Sequence, residues 1–227
     1  MARYRTIGVI GGMGPAATAD FLGRLVAGVN AASDTDHPRV LVDSNPHVPD
    51  RNAAALTGAD SPGPALAAMG AALVAQGAQL LAMPCNAAHG WADAITAAPF
   101  VSMIDAAIAE AMAHQPRCIG VLGVGATLAL DLYGRASPVP VLNGDLCVVQ
   151  PAVNAIKAGD RSDAVRERLA GEAARLAAAG ADVVIAACTE VPLALTQADV
   201  AVPLIDSTAA LARATLAAAR LPDRVQP

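Results

Sequence analysis

The sequence predicts an α/β protein of two pseudo-symmetric lobes, each a parallel sheet flanked by helices, with the active site in the cleft between them. Three observations carry that expectation. Short apolar runs alternate with helical segments along the chain, and parallel strands need crossover connections of that kind. The unit Gly77-Ala78-Gln79-Leu80-Leu81-Ala82-Met83-Pro84-Cys85 returns as Gly180-Ala181-Asp182-Val183-Val184-Ile185-Ala186-Ala187-Cys188. Each is a glycine turn, an apolar run of strand length and a cysteine. Two further blocks recur in the same order: Ile7-Gly8-Val9-Ile10-Gly11 as Ile119-Gly120-Val121-Leu122-Gly123, and the Phe100-Val101-Ser102-Met103-Ile104-Asp105 segment as Val202-Pro203-Leu204-Ile205-Asp206.

Taken in order, residues 6–10 read as a buried strand, 16–30 as a helix after a glycine-rich turn, and 39–43 as a second strand followed by the proline-containing loop 44–50. A helix precedes Gly77, and residues 80–84 form the third strand. Residues 86–96 read as a helix, 100–104 as a strand and 106–114 as a helix, before the pattern restarts near Ile119. The last helix, Ser207–Ala219, is expected to return to the first lobe. Residues 1–100 with 207–227 then make one lobe and 101–206 the other. In open parallel sheets, sites form beyond the carboxyl ends of strands, where both repeat-matched cysteines fall.

Composition narrows the function. The chain has 227 residues, is 55% hydrophobic but only 2% aromatic, and carries a net charge of −5. With no basic run and few rings for base stacking, nucleic acid is not an expected partner. Glycines, prolines and charges interrupt every apolar run before membrane-spanning length, and residues 1–5 hold no long apolar segment before a cleavage site, so a soluble cytoplasmic protein is expected. The four cysteines form no CxxC pair, and no His or Cys spacing suits zinc. No metal is therefore expected, and the chain length requires no disulfide framework.

Cys85 and Cys188 are the strongest candidates for chemistry. A single cysteine is more often a small buried apolar residue, but these two share a strand end, a following helix start and a repeat position. A helix N-terminus favours thiolate over thiol, which predicts lowered thiol pKa values. Cys118 and Cys147 lack such a setting. Gly12-x-Gly14-x-x-Ala17, with Asp43 ending the second strand, fits a dinucleotide-binding pattern, but a tight strand-to-helix turn needs the same glycines. Lys157 is the only lysine among fifteen basic residues. With Arg51 it supplies local cations that an acidic protein needs to hold an acidic ligand. His89, four residues after Cys85, can reach the thiolate or serve in the core, and Thr189 and Glu190 are expected to open a helix.

Gly11-Gly12-Met13-Gly14-Pro15 with Ala17-Thr18, Asn45-Pro46-x-x-Pro49-Asp50-Arg51, Met83-Pro84-Cys85-Asn86-x-Ala88-His89, Ala187-Cys188-Thr189-Glu190 and Pro203-Leu204-Ile205-Asp206 together resemble the aspartate/glutamate racemase superfamily, its aspartate racemase branch most closely. The resemblance spans nearly the whole chain. It implies an amino-acid racemase working without pyridoxal phosphate or other cofactor, acting on aspartate or glutamate, and a homodimer. It also implies catalytic roles for Cys85 and Cys188, and substrate-binding roles for Met13, Arg51, Asn86, Thr127, Lys157 and Thr189. Ala87 departs from the usual threonine beside the first cysteine, Val124-Gly125-Ala126-Thr127 keeps only the last hydroxyl of a Thr-x-Gly-Thr pattern, and the segment 133–157 is shorter than usual. The residues themselves leave open a related isomerase or decarboxylase (maleate isomerase-like), a dinucleotide-binding oxidoreductase, or a non-catalytic binding module.

Overall fold

The computed structural model describes residues 4–222; Met1 to Arg3 and residues 223–227, the ends of the expected first lobe, lie outside the described residues. Two four-stranded parallel sheets form the molecule. The first contains β1 (Ile7–Gly11), β2 (Val40–Ser44), β3 (Leu80–Ala82) and β4 (Phe100–Val101), in the order β2-β1-β3-β4. The second contains β5 (Ile119–Gly123), β6 (Val141–Asn143), β7 (Val183–Ala187) and β8 (Leu204–Asp206), in the order β6-β5-β7-β8. The repeat read in the sequence is thus a repeat of topology, and its registers match: Ile7 pairs with Leu80 as Ile119 pairs with Val183.

The central strands are apolar on both faces because helices cover both. Every residue of β1, β3, β5 and β7 is buried, which is how a fully covered parallel strand reads. Around the first sheet lie α1 (Pro15–Ala27), α2 (Arg51–Thr57) and α3 (Gly63–Ala75), joined by α4 (Met103–Ala113). Around the second lie α5 (Gly125–Ala129), α6 (Leu132–Ala136), α7 (Leu146–Lys157) and α8 (Asp163–Ala178), with α9 (Ser207–Ala219) closing the chain. None of the described helices is long and apolar enough to cross a membrane.

Helices α4 and α9 bind the lobes by reciprocal exchange. α4 leaves the first sheet yet packs Ile104, Ala107, Ile108 and Ala111 against Ile119, Val121, Val183 and Ile185 of the second. α9 leaves the second sheet and packs Leu211, Ala212 and Leu216 against Ile7, Val9 and Phe21 of the first. Arg213 grips Glu110 between these helices at 2.5 and 2.6 Å, and Arg24 of α1 holds Asp206 at the α9 N-terminus at 2.7 Å. The apolar packing outweighs the ion pairs, since each is partly solvated and such pairs contribute little.

Three local expectations are corrected. The expected strand over 100–104 stops at Val101, because the Ser102 side chain accepts from Asp105 N and starts α4. The expected helix over 86–96 is a 3₁₀ segment, Ala87–Ala94, broken at Trp91. Gly90 within it has no side chain because Leu130 fills that space. Thr189 and Glu190 precede only a three-residue 3₁₀ turn, Val191–Leu193. Beyond it Thr196 and Asp199 cap each other's turn at 2.8 and 2.9 Å, a local alternative to helix continuation.

The glycine turn after β1 is a packing device. Gly12 has φ of +90°, and a Cβ there would collide with the Asn45 backbone. The Gly12 N–H already donates to Thr18 Oγ1 at 2.8 Å, so it is committed within the protein. Gly12→Ala is expected to destabilise the fold by roughly 2–4 kcal/mol, measured by urea unfolding; a loss below about 1 kcal/mol would contradict the close approach.

His89 performs a related task at β3. Met103 N donates to its Nε2 at 2.9 Å, which makes Nδ1–H the donor to the Cys85 carbonyl at 2.8 Å. The ring therefore brackets the Cys85 backbone to the start of α4 and does not engage the sulfur. Burial holds its pKa down at about 4, against small opposing effects of the Cys85 bond and Asp105. The neutral ring's contribution is complete above the unfolded value of about 6.5 and is lost as pH falls toward 4, roughly 3 kcal/mol over that window. Urea titrations across it should give a steeper loss of stability in the native protein than in His89→Gln.

Candidate active site

Each sheet changes direction of winding at its centre. From β1 the chain steps outward to β2, and from β3 it steps the other way to β4, so the loops after β1 and β3 part and leave a crevice. The same holds after β5 and β7. Cys85 lies three residues beyond β3 and Cys188 immediately after β7, and both line a single cleft of about 420 Å³ including its mouth. Met13, Asp50, Arg51, Asn52, Asn86 and Ala87 form its first-lobe wall. Val124, Lys157, Thr189 and Glu190 form the other.

Of the residues singled out in the sequence, Met13, Arg51, Asn86, Lys157 and Thr189 join both cysteines in this cleft. Thr127 does not line it. It is buried on α5, and its Oγ1 has no hydrogen-bond partner among the described residues. Cys118 and Cys147 lie elsewhere, half-buried and exposed respectively. Asp50, Asn52 and Glu190 complete the lining. Asn52 gave no signal in the sequence, whereas Glu190 was visible but read as a helix-opening residue.

The positions of these side chains follow from their elements. Asp50 caps α2 by accepting from Ala53 N at 2.7 Å, which sets Arg51 at the first turn. The Arg51 guanidinium donates to the Val48 and Pro49 carbonyls at 3.2 Å each, so the proline loop aims it. Asn52 Oδ1 accepts from Ala126 N of the other lobe at 2.8 Å. Gly125 permits that approach, since a Cβ there would lie 3.1 Å from Leu56. Lys157 projects from the last turn of α7. Asn86 is fixed by a chain: the Tyr133 hydroxyl donates to its Oδ1 at 2.6 Å, its Nδ2 donates to Ser207 Oγ at 3.1 Å, and Ser207 donates to the Ala186 carbonyl at 2.7 Å. Burial pushes the Tyr133 phenol well up, so it stays a donor.

The thiols do not sit at α-helix N-termini, and the expectation of lowered pKa values is overturned. Each sulfur residue is only 6% exposed, and burial pushes both thiols up. Arg51 is the main opposing influence on Cys85, followed by the Ala88 N–H. Cys188 rises further because Glu190 adds like charge and accepts its S–H at 3.0 Å; Lys157 opposes this. Glu190 also accepts from Thr189 Oγ1 at 3.1 Å and lies 3.9 Å from Lys157 Nζ. Ala87 and Val124 add two apolar residues to the lining. No cluster of three His, Cys, Asp or Glu side chains among the described residues is placed to hold a metal ion. Such a cleft can hold a small charged molecule between two buried thiols.

Comparison with known proteins agrees with this geometry. A model of the Asp/Glu/hydantoin racemase family matches residues 10–215. Among solved structures, an aspartate racemase from Picrophilus torridus is 28% identical, covers 96% of each chain and superposes with a TM-score of 0.84. An aspartate racemase homologue from Pyrococcus horikoshii shares the fold at 22% identity, with a TM-score of 0.75 over 94% of this chain and 98% of that one. A glutamate racemase from Francisella tularensis, solved with D-glutamate, shares it at 18% identity and a TM-score of 0.66, over 93% and 79% of the two chains. With both cysteines at matching strand ends in one cleft, and a family match running through nearly all of the described fold, this chain belongs to the Asp/Glu/hydantoin racemase family and is an isomerase, an amino-acid racemase.

Proposed function

We propose that the protein racemises an acidic amino acid, aspartate or glutamate, by two-base proton transfer between Cys85 and Cys188, without pyridoxal phosphate. The observation that carries this reading is the placement of both thiols in one cleft with Arg51 and Lys157. One sulfur, as thiolate, removes the α-proton, while the other, as thiol, gives its proton to the opposite face. The electron pair remains on the α-carbon and spreads into the carboxylate in the meantime. A cation at that carboxylate lowers the energy of this state more than of the substrate, which is where it accelerates the reaction. Arg51 is oriented for this by two backbone carbonyls, and Lys157 is available to the second carboxylate. The substrate ammonium offsets the cost of a buried thiolate.

Cys85→Ala and Cys188→Ala should each lower racemisation on the order of 10²–10⁴-fold while circular dichroism stays native. Incubation with L-aspartate and L-glutamate in D₂O, followed by proton NMR, reads the α-hydrogen directly. The reading fails if either variant keeps near-native turnover in both directions, or if neither amino acid loses its α-proton.

Lys157→Ala should raise KM for the acidic substrate about tenfold or more, as expected for losing a charged hydrogen bond. Lys157→Arg should restore only part of it, because a planar fork replaces a compact ammonium. A folded Lys157→Ala protein with unchanged kinetics would remove Lys157 from the substrate site.

A further inference from the structure

The lobes repeat each other in topology, but the surroundings of the two sulfurs do not repeat. We propose that the first proton to leave the thiol pair leaves Cys85, because the Glu190 carboxylate holds the proton of Cys188, so that the Cys85 thiolate begins the reaction and Glu190 is the positioning residue that decides this. The inference rests on the two-thiol reading above and adds to it which sulfur begins.

The geometry is one-sided. Cys188 Sγ donates to Glu190 Oε2 at 3.0 Å inside the cleft wall. The same oxygen receives the Thr189 hydroxyl at 3.1 Å, which fixes its direction. A carboxylate facing a sulfur at hydrogen-bond distance stabilises S–H and repels S⁻. Glu190 is buried, so water screens this little. Lys157 faces Cys188 from α7, but at 3.9 Å from Glu190 Oε1 its charge is shared with that carboxylate. Tyr133, from α6, is neutral. Among the described residues no carboxylate is bonded to Cys85. Its strongest charged influence is Arg51 from α2, aided by the Ala88 N–H, with Glu190 and Lys157 weaker and opposed in sign. Burial opposes thiolate at both sulfurs, so the cleft gives up a second proton less readily than a first, and the environment leaves the remaining one on Cys188.

The step balances without a further reactant. The Cys85 thiolate takes the α-proton as the C–H bond breaks. The Cys188 thiol then protonates the opposite face of the α-carbon, leaving Cys85 as thiol and Cys188 as thiolate. Proton exchange with solvent restores the starting form.

Limited alkylation tests the assignment without depending on turnover. Both residues are 6% exposed, and the pH dependence of their iodoacetamide rates reports thiolate rather than access. In a Cys118→Ala/Cys147→Ala background, peptide mass spectrometry at near-neutral pH should find Cys85 labelled about tenfold or more faster than Cys188, equivalent to a separation of at least one pKa unit. Glu190→Gln keeps the acceptor and removes the charge. It should move the pH profile of Cys188 labelling down toward that of Cys85 and leave the Cys85 profile nearly in place. Glu190→Asp, which keeps the charge, should stay closer to the native pattern than Glu190→Gln. Equal or reversed labelling in the native enzyme, or an unmoved Cys188 profile in Glu190→Gln, overturns the assignment. If that occurs while both cysteines remain essential for racemisation, only the proton placement falls. If the labelling preference holds but no acidic amino acid loses its α-proton, the substrate reading falls and the placement stands.

Discussion

Desolvation of two thiols is the constraint on which the site depends. A cysteine at 6% exposure has little water to support a negative charge, and no α-helix N-terminus replaces that water. Thiolate must be supported by individual groups: Arg51 and one N–H for Cys85, and Lys157 and one N–H for Cys188. The four charged side chains lining the cleft, Asp50, Arg51, Lys157 and Glu190, are two of each sign. A cleft balanced in this way adds little net field of its own, and each sulfur responds to its nearest neighbour.

That local control is why a duplicated scaffold can carry unequal halves. The two sheets share strand order and register, so the backbone delivers both cysteines to equivalent places. The differences lie in the segment that leaves each strand. After β3 the chain runs through Asn86 into a 3₁₀ segment bracketed by His89, with the strongest charged influence supplied from α2. After β7 it places an acidic side chain two residues from the sulfur. The Asn86 chain crosses from one lobe to the other, because Tyr133 and Ser207 belong to segments beyond β5 and β8. Removing its middle member would leave the buried Tyr133 and Ser207 hydroxyls without that partner, which costs more than the bonds themselves are worth.

Precision in the cleft comes from helix–sheet packing with few aromatic rings. Small residues let backbones approach closely: Gly12 admits the Asn45 loop, Gly125 admits α2, and Gly90 admits Leu130. The exchange of α4 and α9 between the lobes then fixes one wall of the cleft against the other through two apolar clusters. Opening the lobes as rigid bodies would expose those clusters, so adjustments around a ligand are more easily made by α2. That helix has no buried residue and is tied across the cleft by the Asn52–Ala126 bond.

Periodicity and repetition in the sequence determined the parallel α/β architecture, the two lobes and the position of both cysteines beyond strand ends. Those features depend on local pattern, because a glycine-bounded apolar run forms a buried strand wherever the sheet places it. Arg51, Asn86 and Thr189 were also legible, through motifs written contiguously around them, and Lys157 as the only lysine. Tertiary structure decided the rest. Asn52 entered the cleft lining because a bond across the lobes draws α2 inward, which no spacing along the chain records. His89 turned to the Cys85 carbonyl because Met103 N, fourteen residues away, claims its other nitrogen. The thiol shifts reversed their expected direction because burial is set by the whole fold, whereas the helix dipole expected to oppose it required an α-helix where the chain forms only 3₁₀ turns. Glu190 acquired its place beside Cys188 in the same way, since a side chain's partner depends on which direction the backbone beyond it takes.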